Sequence, residues 1–135
     1  MSSADDVAKY LATLVPLGLV FATNLFVGKE PKSPANCVTL YDTGGPTPKQ
    51  DYSGSLFISV PSVQIRVRNT AFLTGDILIN DIRTVVKQIV DTTLSGTRYE
   101  GAFIRSDVIH LGLKSQTNEG IAHVWTLNID LIKED

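Results

Sequence analysis

Two histidines, one cysteine and a loop rich in glycine and proline are the parts of this sequence whose residue types invite a chemical reading. His110 alternates with Ile109 and Leu111, so it falls on the polar side of its segment and reads as a solvated residue. His123 shares a period-two face with Trp125, Leu127, Ile129 and Leu131, so it reads as a hydrogen-bonded residue of the core. A metal centre needs several ligands at proper spacing, and no such set is visible. Cys37 opens an apolar run and reads as a small buried hydrophobe. The segment TGGPTPK resembles a phosphate loop in its glycines alone, because Lys49 is followed by Gln50 where a phosphate loop has Ser or Thr. No G-x-S-x-G nucleophile elbow occurs. Asp42 and Asp51 flank the loop, but two carboxylates supply too few oxygens for a cation, and a solvated reading is preferred. The residues therefore point away from an enzyme and imply no cofactor.

Composition points the same way. The 135 residues match one domain in length, and 43% of them are hydrophobic, enough for a core without disulfide or metal. Charged residues make up 19%, below the usual ~25%, which suits a chain that hides part of its surface in a partner. The net charge of −2 argues against a free-standing nucleic-acid binder. A single cysteine excludes an intrachain disulfide and fits a reducing compartment such as cytoplasm. No charge lies between Lys9 and Lys29, but Pro16, Gly18 and Asn24 interrupt that apolar run. Asp5 and Asp6 precede it, where a signal peptide carries positive charge, so neither a membrane span nor a leader is expected.

These residues must be positioned by a small set of elements. Ser2 or Ser3 caps a first helix over about residues 3–15, with Val7, Tyr10, Leu11, Leu14 and Val15 as its apolar stripe and Pro16 and Gly18 as its stop. Leu25–Val27 and the run CVTLY read as short strands. Asp42 to Ser55, with three glycines and two prolines, reads as the longest loop. Between Leu56 and Arg68 the apolar residues change parity: Leu56, Ile58 and Val60 are even, whereas Val63, Ile65 and Val67 are odd. A continuous strand cannot put both sets on one face, so a bulge or break is expected within about two residues of Pro61. Gln64, Arg66 and Arg68 then form the polar face. Thr74 or Asp76 is the expected cap of a second helix over about residues 75–94, with Gly96 as its stop. Two or three strands close the chain. The order implies an α+β fold, a single domain with a mixed, mostly antiparallel sheet packed against two helices.

The run LFVGKEPKSPANCVTLYDTGGP, residues 25–46, resembles the tail-terminator or minor capsid proteins of long-tailed bacteriophages. Those chains carry a strand, a proline-punctuated connection and an apolar strand ending in an acidic residue before paired glycines. Here these features are Pro31, Pro34, Val38 to Tyr41, Asp42, Gly44 and Gly45. PSVQIRVRN, residues 61–69, is similar to the family's next strand, and a helix and final strand pair follow in order. The resemblance implies a structural protein of the virion neck, made in the host cytoplasm. It would cap the finished tail tube as a homo-oligomeric, six-fold ring, end tail growth and offer the head connector a joining surface. DNA would pass through the hole without sequence-specific binding, and no membrane is involved. A closed ring repeats one heterologous contact by rotation and needs no catalytic residue. The expected partner contacts are Asp42, Gly44, Gly45, Pro46, Lys49, Asp51 and Tyr52 of the loop, with Arg66 and Arg68 on the strand. The arginines also fit a contact with DNA or an ordinary solvated strand face. Two alternatives are a head-completion or connector protein of the neck and a small-ligand-binding domain using the glycine-rich loop.

Overall fold

The computed structural model describes residues 2–44, 49–50, 57–117 and 120–134, and of residues 49–50, 57–58, 114–116 and 134 the backbone only. Its architecture follows from the last strand, β8 (Gly120–Glu134). Alternation along β8 sends Trp125, Leu127, Ile129 and Leu131 to one face, where all four are fully buried. Burying an aliphatic side chain of this size contributes about 1.5–3 kcal/mol, so this face decides which way the strand turns. On one side β8 pairs antiparallel with β5 (Ser62–Asn69), which aligns Val63, Ile65 and Val67 with the same face. Next comes β2 (Cys37–Gly44), antiparallel to β5, and then β1 (Leu25–Val27), parallel to β2 at the sheet edge. The strand expected over Leu25–Val27 is present with those bounds.

The other side of β8 pairs with the long strand β7 (Thr97–Thr117), which carries β6 (Val90–Leu94) on its outer edge. Two short strands, β3 (Lys49–Gln50) and β4 (Phe57–Ser59), complete an eight-stranded mixed sheet among the described residues. Helices α1 (Ser3–Ala12) and α2 (Phe72–Val86) close over the core face, placing Val7, Leu11, Ile79, Ile82 and Val86 among the strand residues. This is the expected α+β class with two helices.

Both helices are shorter than their apolar patterns suggest. Ser2 caps α1 as expected, its hydroxyl accepting from Asp5 N at 3.1 Å. The helix ends at Ala12, not near residue 15, and Leu14 turns extended before a 3-10 turn at Val15–Leu17 that holds Pro16. Val15 is consequently 87% exposed instead of in the stripe. In α2 neither Thr74 nor Asp76 is the cap. Asn69 Oδ1, at the end of β5, accepts from Ala71 N at 2.8 Å, and the helix starts at Phe72. It stops at Val86, and the β-branched run Val90–Leu94 forms β6 rather than a helical extension. Gly96 turns the β6–β7 hairpin: Ser95 and Gly96 both have positive φ, 51° and 82°, the backbone that a tight two-residue hairpin requires.

The break expected near Pro61 is present, and it leaves the pairing register with β8 unchanged. The strand does break, at Val60 and Pro61. Pairing to β8 nevertheless keeps one register across the gap, with Ser59 opposite Lys133 and Ser62 opposite Asp130. Pro61 still contributes its carbonyl, which accepts from Leu131 N at 2.9 Å. Val60 and Val63 therefore lie on opposite faces of the sheet. The register slip occurs on the other neighbour, β2, between Asp42 and Gly44. Asp42, Gly44 and Lys49 also belong to strands rather than to one continuous loop.

α2 lies so close to β8 that Gly75 has no room for a side chain. A Cβ there would stand well inside van der Waals distance of Trp125 Cζ3 and Cη2, and 3.0 Å from Asn69 Cβ. Gly75→Ala adds up to about 1 kcal/mol of helix propensity. The overlap with a buried indole on one side and a strand end on the other outweighs that gain. The variant is expected to lose about 1–3 kcal/mol of unfolding free energy in urea titration, with a changed Trp125 fluorescence spectrum in the folded state.

α1 is tied to β7 by a buried hydrogen bond: Tyr99 Oη donates to Asp6 Oδ2 at 2.5 Å, and both side chains are nearly inaccessible. Burial first, and then the bond to Asp6, pushes the Tyr99 phenol up from its ordinary value. A raised folded-state value means that the stabilisation is complete below the unfolded phenol's value of about 10 and is lost as pH climbs above it. Wild-type stability should therefore fall with rising pH in alkaline solution. Tyr99→Phe should flatten that dependence while lowering neutral-pH stability by about 1.5–3 kcal/mol. Urea titrations at a series of pH values measure both effects.

Candidate assembly surfaces

The residues expected to meet partners fall into three groups. Gly45, Pro46, Asp51 and Tyr52 lie outside the described residues, and of Lys49 only the backbone is described. Asp42, though exposed, faces inward with one oxygen: Oδ1 accepts from Ala4 N at 2.9 Å, a second cap on α1. Gly44 has φ 77°, where β2 slips against β5, and a side chain at that φ would be strained.

Arg66 and Arg68 are on the face of β5 opposite the helices, because their neighbours Ile65 and Val67 are on the core face. There they hold the chain's own connection between β1 and β2. Arg66 Nε donates to Glu30 Oε1 at 3.2 Å. Arg68 is 2% exposed and donates to Pro34 O at 2.6 Å and Ala35 O at 2.9 Å, with Glu30 Oε2 3.7 Å away. The solvated-face reading of Arg68 is thus corrected: its guanidinium satisfies carbonyls of an irregular segment that has no strand partner there. Cys37, opposite Arg68, is buried as expected, and burial pushes its thiol up, with Arg68 working against that shift. A buried thiol of this kind is an inert packing group.

The two histidines, read separately in sequence, meet. His110 Nε2 and His123 Nδ1 are 3.0 Å apart, and both rings pack around Trp125 and the exposed Phe72 with centroids 4.9 to 5.7 Å apart. His110 is directly opposite Trp125, whereas His123 is opposite Leu113, so the pair is diagonal across the ribbon. Five register shifts along β7–β8 bring them together. Parity counting could not anticipate this, because each bulge re-aims the side chains that follow it. Among the described residues no group of three or more His, Cys, Asp or Glu is placed to hold a metal ion.

What the surface does offer is apolar. Leu73 and Ile77 are 67% and 53% exposed on the outward stripe of α2, which also carries Asp76 and Asp81. Phe103, Ile109 and Leu113 are exposed on β7, whose outer edge beyond Gly101 has no strand partner among the described residues. The bulges along that edge make it a poor template for indiscriminate pairing. A cleft of about 700 Å³ opens beside β1, lined by Phe26, Val27, Lys29, Glu30, Pro31 and Lys32. Among the described residues no helix is long and apolar enough to cross a membrane.

Fold and surface together define an α+β protein that exposes apolar side chains on α2 and β7 among the described residues. A chain from the virion of a native gene transfer agent particle has a similar fold, with a TM-score of 0.63 over 99% of this chain and 96% of that one. The two are 15% identical, so the likeness is one of fold. No protein-family model and no curated protein sequence matches the chain.

The arginine geometry separates two neighbours that look alike in sequence. Arg68→Met strands the Pro34 and Ala35 carbonyls, although Glu30 keeps Arg66, and should cost on the order of 2–3 kcal/mol. Arg66→Met removes a single, partly exposed ion pair and should cost less than about 1 kcal/mol. Chemical denaturation of the two variants side by side gives the comparison.

Proposed function

We propose that this chain is a structural protein of a phage or phage-like virion, and within that class a tail terminator. The observation that carries the reading is the fold likeness to a virion chain along nearly the whole length of both molecules. The resemblance of residues 25–46 and 61–69 to tail terminators supports the narrower role.

In this reading the chain forms a ring, six-fold as in the family it resembles, on the last layer of the tail tube. One face ends tube growth and the other receives the head connector, while DNA runs through the hole. The molecule acts in the neck of the virion after assembly in the host cytoplasm. Work of this kind needs surfaces that recognise copies and neighbours, and heterologous contacts repeated by rotation supply them. The segment bearing Gly45, Pro46, Lys49, Asp51 and Tyr52 is proposed to contact the tube or the connector, with Asp42 and Gly44 preceding it on β2.

The test is negative-stain electron microscopy of the purified protein mixed with tail tubes. A ring on one end of each tube, together with tubes of irregular length in virions lacking the protein, is the expected result. Bare tube ends with rings on the connectors of filled heads would assign the chain to head completion instead. The absence of the protein from both ends would refute a neck role.

A further inference from the structure

We propose that copies of this chain join head to tail, with the outer stripe of α2 on one copy seated in the cleft beside β1 of the next. The proposal deepens the ring reading and rests on it for the closure of the ring. The pairwise contact itself is argued from the two surfaces.

The stripe on α2 is both apolar and acidic. Leu73 and Ile77 are one helical turn apart and more than half exposed, which leaves two branched side chains in water. Asp76 stands beside them, and Asp81 lies one turn beyond Ile77. Neither aspartate has an ion-pair partner among the described residues, where Arg83 of the same helix is held by Asp107 at 2.6 Å. The stripe carries no cation of its own.

The cleft beside β1 has the complementary character. Phe26, Val27 and Pro31 supply its apolar lining, while Lys29 and Lys32 are exposed at its rim. Neither lysine has an ion-pair partner among the described residues. The cleft's acidic residue, Glu30, is turned inward to Arg66 and Arg68. An apolar floor with a rim of two unpaired cations fits an apolar helix face flanked by two unpaired anions, the usual helix-in-groove mode of recognition.

The two surfaces cannot meet within one molecule. α2 packs on the core face of the sheet, against Trp125 and its neighbours. The connection that builds most of the cleft is held on the opposite face by Arg66 and Arg68, and Phe26 shares that face because it pairs with Thr39, while Val27, opposite Leu40, closes the cleft at the sheet edge. Each copy therefore presents one stripe and one cleft, pointing different ways. Such a contact is heterologous, and its repetition closes a ring or extends a chain.

The test uses two charge-reversed proteins, Asp76→Lys/Asp81→Lys and Lys29→Glu/Lys32→Glu, studied by sedimentation velocity from micromolar to millimolar concentration. All four positions are exposed or half-exposed, and thermal melts establish that each protein remains folded. Wild type should self-associate, and each variant alone should associate at least about tenfold more weakly. A protein carrying all four reversals should recover association to within about threefold of wild type. A second pair, Ile77→Ser and Pro31→Glu, each with one face blocked, should form dimers and nothing larger when mixed, since one good stripe and one good cleft remain. Wild-type behaviour of both charge variants, failure of the fourfold variant to recover, or a wild-type chain that stays monomeric throughout would each overturn the proposal. Variants that still cap tubes as rings would overturn this interface and leave the tail-terminator reading intact. Association through these faces without tube capping would do the reverse.

Discussion

Everything in this molecule is arranged around the buried face of β8. Trp125, Leu127, Ile129 and Leu131 must leave water together, and the unbroken register with β5 achieves this, while the bulges fall on the β7 side. The partner β5 brings Val63, Ile65 and Val67 to the same face, and β2 adds Val38 and Leu40. A slip of one residue would exchange that whole set for Gln64, Arg66 and Arg68. The helices follow as consequences. α2 approaches closely enough that only glycine fits at position 75, against Trp125, and α1 is tied through Asp6 to Tyr99 on β7.

The far face of the sheet has a different solution to the same problem. Its polar residues are recruited rather than simply left to water. Arg68 is buried beneath the Lys29–Asn36 connection and bonds to carbonyls that irregular backbone would otherwise leave open. That connection in turn shapes the cleft beside β1. One strand, β5, therefore supplies the core with its odd residues and builds a surface feature with its even ones. The back of a core strand thus shapes part of the surface.

The ribbon of β7 and β8 extends the theme. β7 runs for 21 residues against the 15 of β8, and bulges absorb the difference. They twist the ribbon, interrupt its free edge, and swing His110 and His123 into contact beside Phe72. A flat ribbon of this length with Phe103, Ile109 and Leu113 exposed would invite uncontrolled strand addition.

Where a residue's role depends on local rules, the amino-acid order alone determined it. The alternation of β8, the strand at Leu25–Val27, the cap at Ser2, the break at Pro61 and the burial of Cys37 all follow from period, propensity or the missing amide of proline. Where a role depends on what lies across space, only the tertiary structure decided it. Leu94 looked helical until β6 found β7, and Thr74 and Asp76 looked like caps until the helix began earlier, at Phe72, behind an Ala71 that carries no side-chain cap. Arg66 and Arg68 read as equivalent until the connection folded over one more completely than the other. The histidines read as unrelated until bulges shifted their register. The candidate contact residues divide the same way, since Asp42 found a capping duty on α1 that lies 38 residues away in sequence. Local order encodes what a segment prefers. Pairing across the sheet, driven by the burial of one face, selects which preference survives.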